Sequence, residues 1–204
     1  SKVDVATAKA IQTLKENGYE PFIATGRSPA ETRDIMESAN IHSGIFMNGQ
    51  VVLYQEQIIY SSQIPTETVE KFHQMVKEDG YGLTAYNDKE FYLVESSTGA
   101  KDAYGFIHTN PPALKEDFYN ENPINLLLFI SLPPAEEKYK VAFPNLDFLR
   151  NTPYSVDVIS KGNSKAEGIK RFLEHLNQED AETYAFGDGQ NAVEMLQAVT
   201  HPVA

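Results

Sequence analysis

What most constrains this chain is a change of pattern followed by its return. Residues 6–49 alternate short apolar runs with amphipathic helical stretches, and the same alternation resumes after Val156. Between them, residues 52–155 read as hairpins, strands and a helix in a different order. Alternation of strand and helix is the pattern of a parallel sheet covered by helices. The expectation is therefore one discontinuous α/β domain, residues 1–51 and 156–204, interrupted by an α+β insertion at 52–155. A chain of 204 residues is long enough to bury a core in each part.

The elements follow from local signals. Ala8, Ile11 and Leu14 repeat at helical spacing over 6–17, and Gly18 suits the end of that helix. Residues 21–24 predict a short strand running into Thr25-Gly26-Arg27. A helix then starts near Pro29, whose missing N–H costs nothing in a first turn. Residues 44–47 predict another strand, ending at Asn48-Gly49. Within the insertion the sequence predicts a hairpin of 51–54 and 58–61, then a helix capped by Thr66 with Val69, Phe72 and Val76 on one face. Strands are predicted at 82–86, 91–94, 125–131 and 148–150, while the polar stretch 96–123 has no clear pattern. Further on, Ser164 and Glu167 have capping-box spacing, ahead of a helix that buries Ile169, Phe172, Leu173 and Leu176. A strand at 183–186 leads into Gly187-Asp188-Gly189 and a last helix through Leu196.

Composition narrows the function classes. A formal charge of −12 argues against a nucleic-acid partner, which needs a basic face, but leaves room for a small phosphorylated ligand held by a few local donors. With no cysteine there is no disulfide, no thiolate metal site and no thiol nucleophile. The histidines (His42, His73, His108, His175, His201) lack metal-ligand spacing and read as ordinary surface or core residues. No apolar run reaches a membrane span, and no signal-peptide pattern opens the sequence, so a cytoplasmic protein away from membranes is the expectation.

Three polar clusters stand at predicted strand ends or a helix start, where ligands bind in open α/β sheets. Thr25-Gly26-Arg27 offers a hydroxyl and a glycine that allows close approach, although an ordinary strand-to-helix turn would look the same. Lys165 lies just inside a helix N-terminus, where a cation is out of place unless an anion binds there; a solvated surface lysine is the plain alternative. Asp188, between two glycines, is suited to magnesium, which takes oxygen ligands; a glycine turn with an incidental aspartate is the alternative. Residues 187–192 also fit a dinucleotide fingerprint, but too little sequence follows for the rest of that unit.

In their order these clusters, with the Asn48-Gly49 turn, resemble the haloacid dehalogenase superfamily, specifically the Cof-type phosphatases. The segment FIATGRSP is similar to that family's second motif, Met47-Asn48-Gly49 to its strand-end Asn-Gly, GNSKAEGI to its third motif and AFGDGQNAVEML to its fourth. The resemblance implies a Rossmann-like core with an inserted α+β cap. It also implies a magnesium-dependent phosphatase acting on a small phosphorylated metabolite such as a sugar phosphate. Thr25, Gly26, Arg27, Asn48, Gly49, Lys165 and Asn191 would contact phosphate or substrate, Thr25 and Lys165 would be catalytic, and Asp188 would hold Mg2+. The sequence says nothing of oligomeric state.

Two departures accompany the resemblance. In the family an Asp-x-Asp on the first strand supplies the nucleophile and the general acid–base. Here the sequence opens with the helix that should follow that strand, and Asp4 lacks a partner at the right spacing. A sheet without that strand would strand two rows of backbone groups, each costing about 1–3 kcal/mol if buried unpaired, against a whole stability of about 5–15 kcal/mol. The expectation is that the strand lies upstream and that these 204 residues alone turn nothing over. The second departure is Ala192, where the family has an aspartate; residues 199–203 also resemble a segment that the family places later. An inactive descendant that binds a phosphorylated ligand or a partner is thus the alternative reading.

Overall fold

A computed structural model describes residues 2–187 and 192–204. The chain divides into two units, one of residues 1–61 and 163–204, the other of residues 62–162. The sequence placed these boundaries at 51/52 and 155/156, and the difference has a physical cause. Strand β2 (Gly44–Phe46) pairs antiparallel with β3 (Val51–Tyr54), which pairs with β4 (Gln57–Ser61), so the hairpin extends the first unit's sheet. Conversely β9 (Ser155–Ser160) pairs with strands of the second unit. Strand propensity does not tell which sheet a strand will join.

In the first unit, α1 (Val5–Glu16) is capped by Asp4, whose carboxylate accepts from the Thr7 N–H and hydroxyl. Strand β1 (Ile23–Ala24) pairs parallel with β2, and α2 (Pro29–Ala39) between them starts in a full capping box of Ser28 and Glu31. After the second unit come α7 (Lys165–His175), β10 (Tyr184–Phe186), α8 (Val193–Gln197) and β11 (His201–Val203), the last pairing parallel with β10. Among the described residues β1–β4 and β10–β11 remain separate sheets, so β1 and β10 each have one edge with no strand partner. The Phe186 side chain at the end of β10 is 69% exposed. One apolar cluster nevertheless joins the pieces: Ile45, Val52, Ile169, Phe172, Ala185, Ala192 and Met195.

The second unit is an antiparallel sheet in the order β6-β5-β7-β9-β8, formed by β5 (Gly82–Tyr86), β6 (Phe91–Glu95), β7 (Leu126–Ile130), β8 (Leu146–Thr152) and β9. Helix α3 (Thr66–Asp79) buries Val69, Phe72 and Val76, the stripe expected from the sequence, and His73 with them; Pro65, not Thr66, holds the cap position. Alternate residues of each strand, such as Leu83, Ala85, Leu127, Phe129, Val156 and Val158, meet that helix in one core. The unassigned stretch contains α4 (Ala100–Phe106) and the single turn α5 (Phe118–Glu121), and α6 (Glu136–Ala142) lies beyond it. No helix among the described residues is long and apolar enough to cross a membrane.

Candidate functional site

Three of the clusters meet in the first unit. Beyond the end of β1, the Thr25 N–H donates to the Ile45 carbonyl at 2.9 Å. The turn after β2 then reaches back: the Asn48 N–H donates to the Thr25 carbonyl at 3.1 Å, and the Met47 N–H to the Arg27 carbonyl at 3.0 Å. Two parallel strands thus end in turns that hydrogen-bond to each other. The arrangement is strained, because Met47 and Asn48 both have left-handed backbone, φ 50° and 55°. Such a residue other than glycine costs about 1–2 kcal/mol and persists only where its surroundings hold it.

Gly49 brings in the third cluster. Its φ is +92°, and a Cβ there would overlap the Ser164 carbonyl oxygen and stand 2.7 Å from its carbon. Only glycine lets this turn rest against the start of α7. There Ser164 is the N-cap, its hydroxyl accepting from the Glu167 N–H at 3.1 Å. One turn further, Gly168 lies against the Ile45 side chain with no room for a Cβ, so the backbone of α7 packs directly on β2. The N-terminus of α7 is thereby held at the carboxyl end of β2, the place where such sheets bind ligands. Lys165, the first residue of that helix, is 7% exposed.

Side-chain chemistry at this junction favours an anion. The Thr25 hydroxyl oxygen accepts from the Arg27 N–H at 3.1 Å, which leaves its own hydrogen to donate. Lys165 places a cation at the positive end of a helix dipole, where an anion is stabilised. The Arg27 side chain is exposed, and its backbone is what braces the turn. Segments 25–27, 47–49 and 163–165 carry no carboxylate, and the described residues include no group of three or more metal-ligating side chains. By themselves they do not make a magnesium site. Asp188 and Asn191 lie outside the described residues. Ala192 is a core residue, packed in the apolar cluster with Ile45 and Ile169, and a Cβ on Gly187 would lie 2.6 Å from its own.

A buried polar pair that the sequence did not single out flanks the same turns. Asn163 Nδ2 donates to Gln50 Oε1 at 2.7 Å, and the Tyr60 hydroxyl donates to Asn163 Oδ1 at 2.9 Å. Gln50 follows the Asn48-Gly49 turn and Asn163 lies within the GNSKAEGI segment, but no periodicity links positions 113 apart in sequence. The histidines lie elsewhere: His73, for example, is buried between the Tyr119 hydroxyl and Glu95, each at 2.9 Å.

The chain as a whole is matched in known proteins. The sequence profile described as haloacid dehalogenase-like hydrolase matches residues 1–204. The chain belongs to that family. Within the haloacid dehalogenase-like hydrolases it is 35% identical over 201 residues to the Bacillus subtilis (strain 168) protein named "Putative phosphatase YkrA", covering 98% of this chain and 77% of that one. Among solved structures, a hypothetical protein of Geobacillus kaustophilus HTA426 superposes with a TM-score of 0.90 at 27% identity, over 98% of this chain and 78% of that one. A sugar phosphatase of haloacid dehalogenase subclass IIB superposes at 0.83 with 24% identity, over 98% and 79%, a likeness of fold alone. The Cof-type resemblance read from the motifs and the α/β fold class both hold for this haloacid dehalogenase-like chain.

Proposed function

We propose that this haloacid dehalogenase-like hydrolase is a magnesium-dependent phosphatase of small phosphorylated metabolites, sugar phosphates among them. Residues 1–61 and 163–204 would be its core domain and residues 62–162 its cap. The observation that supports this reading is the convergence of the Thr25, Asn48-Gly49 and Ser164-Lys165 segments through the Asn48–Thr25 hydrogen bond and the Gly49–Ser164 contact. The name of the Bacillus subtilis relative supports the reaction class, and the kind of substrate is what the motif resemblance implies.

In this reading the Thr25 hydroxyl, the Gly26 amide and the Lys165 ammonium hold the phosphate oxygens, and Asn48 faces the same group. The low exposure of Lys165 makes its charge count for more than a solvated lysine's would. Arg27 braces the turn through its backbone, and Gly49 keeps the lysine's helix close. Magnesium, when bound, would offset phosphate charge, and family pattern assigns it to Asp188, with Asn191 near the phosphate. Asp4 is engaged as a helix cap, so it is not assigned as the phosphoryl acceptor.

The test is phosphate release from a panel of sugar phosphates with and without magnesium, for the chain and for its Lys165→Ala variant. A magnesium-dependent rate that falls about a hundredfold in the variant supports the reading. A rate that the variant retains would refute these roles. No rate at all, with orthophosphate still bound, would make these residues a phosphate-binding module, the outcome expected if the acceptor aspartate lies outside them.

A further inference from the structure

The turn that presents Asn48-Gly49 has left-handed backbone at Met47 and Asn48, and the bare backbone of Gly49 rests against the start of α7. Flanking them directly are Gln50, which follows Gly49, and Asn163, which precedes Ser164 and Lys165. We propose that Gln50, Asn163 and Tyr60 form a positioning network that sets Lys165 and the Asn48-Gly49 turn for one phosphate group. This rests on the phosphate-site reading above.

Three features support it. First, the bonds are directional and buried: Gln50 is fully inaccessible, and the 2.7 Å and 2.9 Å bonds run from Tyr60 through the Asn163 amide to Gln50. Burying amides brings little net stability, since an apolar group of the same shape would pack as well. What a satisfied polar network adds is a single arrangement. Second, the network spans the strand β4, the turn after β2 and the loop before α7, which no single element connects. Third, it closes on α7 twice. Besides Asn163 ahead of the first turn, the Arg171 guanidinium lies over the Tyr60 ring, 3.9 Å from its centroid. Arg171 Nη1 is buried with no hydrogen-bond partner, so the ring face is a principal contact of that end of the side chain. Tyr60 is thus clamped between the helix that carries Lys165 and the loop that introduces it.

The test uses the whole chain and orthophosphate as the probe, with binding measured by calorimetry and folding followed by circular dichroism. Asn163→Ala removes both hydrogen bonds of the network, Gln50→Met removes the one with Asn163 at nearly constant volume, and Tyr60→Phe keeps the ring under Arg171. Asn163→Ala and Gln50→Met are each expected to weaken phosphate binding about tenfold, as loss of a supporting partner does at other charged sites. Tyr60→Phe should weaken it less. The Asn163→Ala/Gln50→Met double variant should bind no worse than the weaker single one, because the two residues act as a unit. A purely stabilising role would lower the melting temperature and leave the affinity of the folded protein alone. Affinities within twofold of the unaltered chain, or losses that multiply in the double variant, would overturn the network while Lys165→Ala still abolishes binding. If the chain and Lys165→Ala bind phosphate equally, or neither binds, the phosphate-site reading fails and the network with it. Should Asn163→Ala not fold, the near-isosteric Gln50→Met and Tyr60→Phe decide between these outcomes.

Discussion

Gly49→Ala is the sharpest probe of how the site is built. Two costs arise at this residue, and each follows from its surroundings. Its φ of +92° is a conformation that an alanine adopts only at about 1–2 kcal/mol. The added methyl would also overlap the Ser164 carbonyl, which is backbone at a helix start and cannot rotate aside; overpacking of that kind costs about 1–3 kcal/mol. Together the loss is about 2–5 kcal/mol, a large part of a typical domain's stability of about 5–15 kcal/mol. Gly18→Ala separates the two terms. Gly18 has a similar φ of +83° in the same unit, yet nothing lies within 4 Å of its Cβ position, so only the conformational cost of about 1–2 kcal/mol applies. The chain has no tryptophan, so urea unfolding is best followed by far-ultraviolet circular dichroism. If the two variants lose the same stability within about 0.5 kcal/mol, the turn does not rest on Ser164 and the reasoning about the site's assembly is wrong.

Other perturbations test other parts of the account. Phe72→Ala should cost the second unit about 3–5 kcal/mol, because this ring is fully buried against Phe129, Tyr139, Phe143 and Phe148. Loss of that unit's unfolding transition with the first unit's intact would agree with the division at 61/62 and 162/163, and equal loss in both would not. Arg150→Met should cost on the order of 2–3 kcal/mol at neutral pH, less than a fully buried ion pair, since both partners keep some exposure. The Arg150 guanidinium hydrogen-bonds Glu136 at 2.7 Å through both carboxylate oxygens and holds that carboxyl below its ordinary range. A folded-state value below the unfolded one means that this stability is fully present above about pH 4.3. It is lost as the pH falls through the lowered folded value. The difference between the unaltered chain and Arg150→Met should therefore narrow on acidification across that window, and a constant difference down to pH 3 would contradict the assignment.

Much of this structure was legible in the sequence where a local signal exists. The apolar stripe Val69, Phe72, Val76 marks α3, Pro29 marks the start of α2, and the Gly-rich turns mark strand ends. The segments Thr25-Gly26-Arg27, Asn48-Gly49 and Ser164-Lys165 were visible as clusters, and their order pointed to a family. Their mutual contact was not visible, because it depends on tertiary contacts between segments distant in sequence, the Gly49–Ser164 contact above all. Separation in sequence likewise hid the partnership of Gln50 with Asn163, while the sheets that β3, β4 and β9 join were hidden because strand propensity does not select a sheet. It also hid the burial of Ala192: the sequence marks a missing carboxylate, and the fold puts that position among Ile45, Ile169 and Met195. Helix α6, whose Tyr139 is buried and Glu136 paired, escaped notice because its seven residues carry too little periodicity to stand out.

The central claim is that one phosphate is held jointly by three segments from different parts of the chain. It is tested most directly by titrating orthophosphate into isotopically labelled protein and following the backbone amide resonances. The account predicts that Gly26, Gly49 and Lys165 shift together along one binding curve, and that Lys165→Ala removes the response at all three. Shifts confined to one segment, or an unchanged response in the variant, would contradict it.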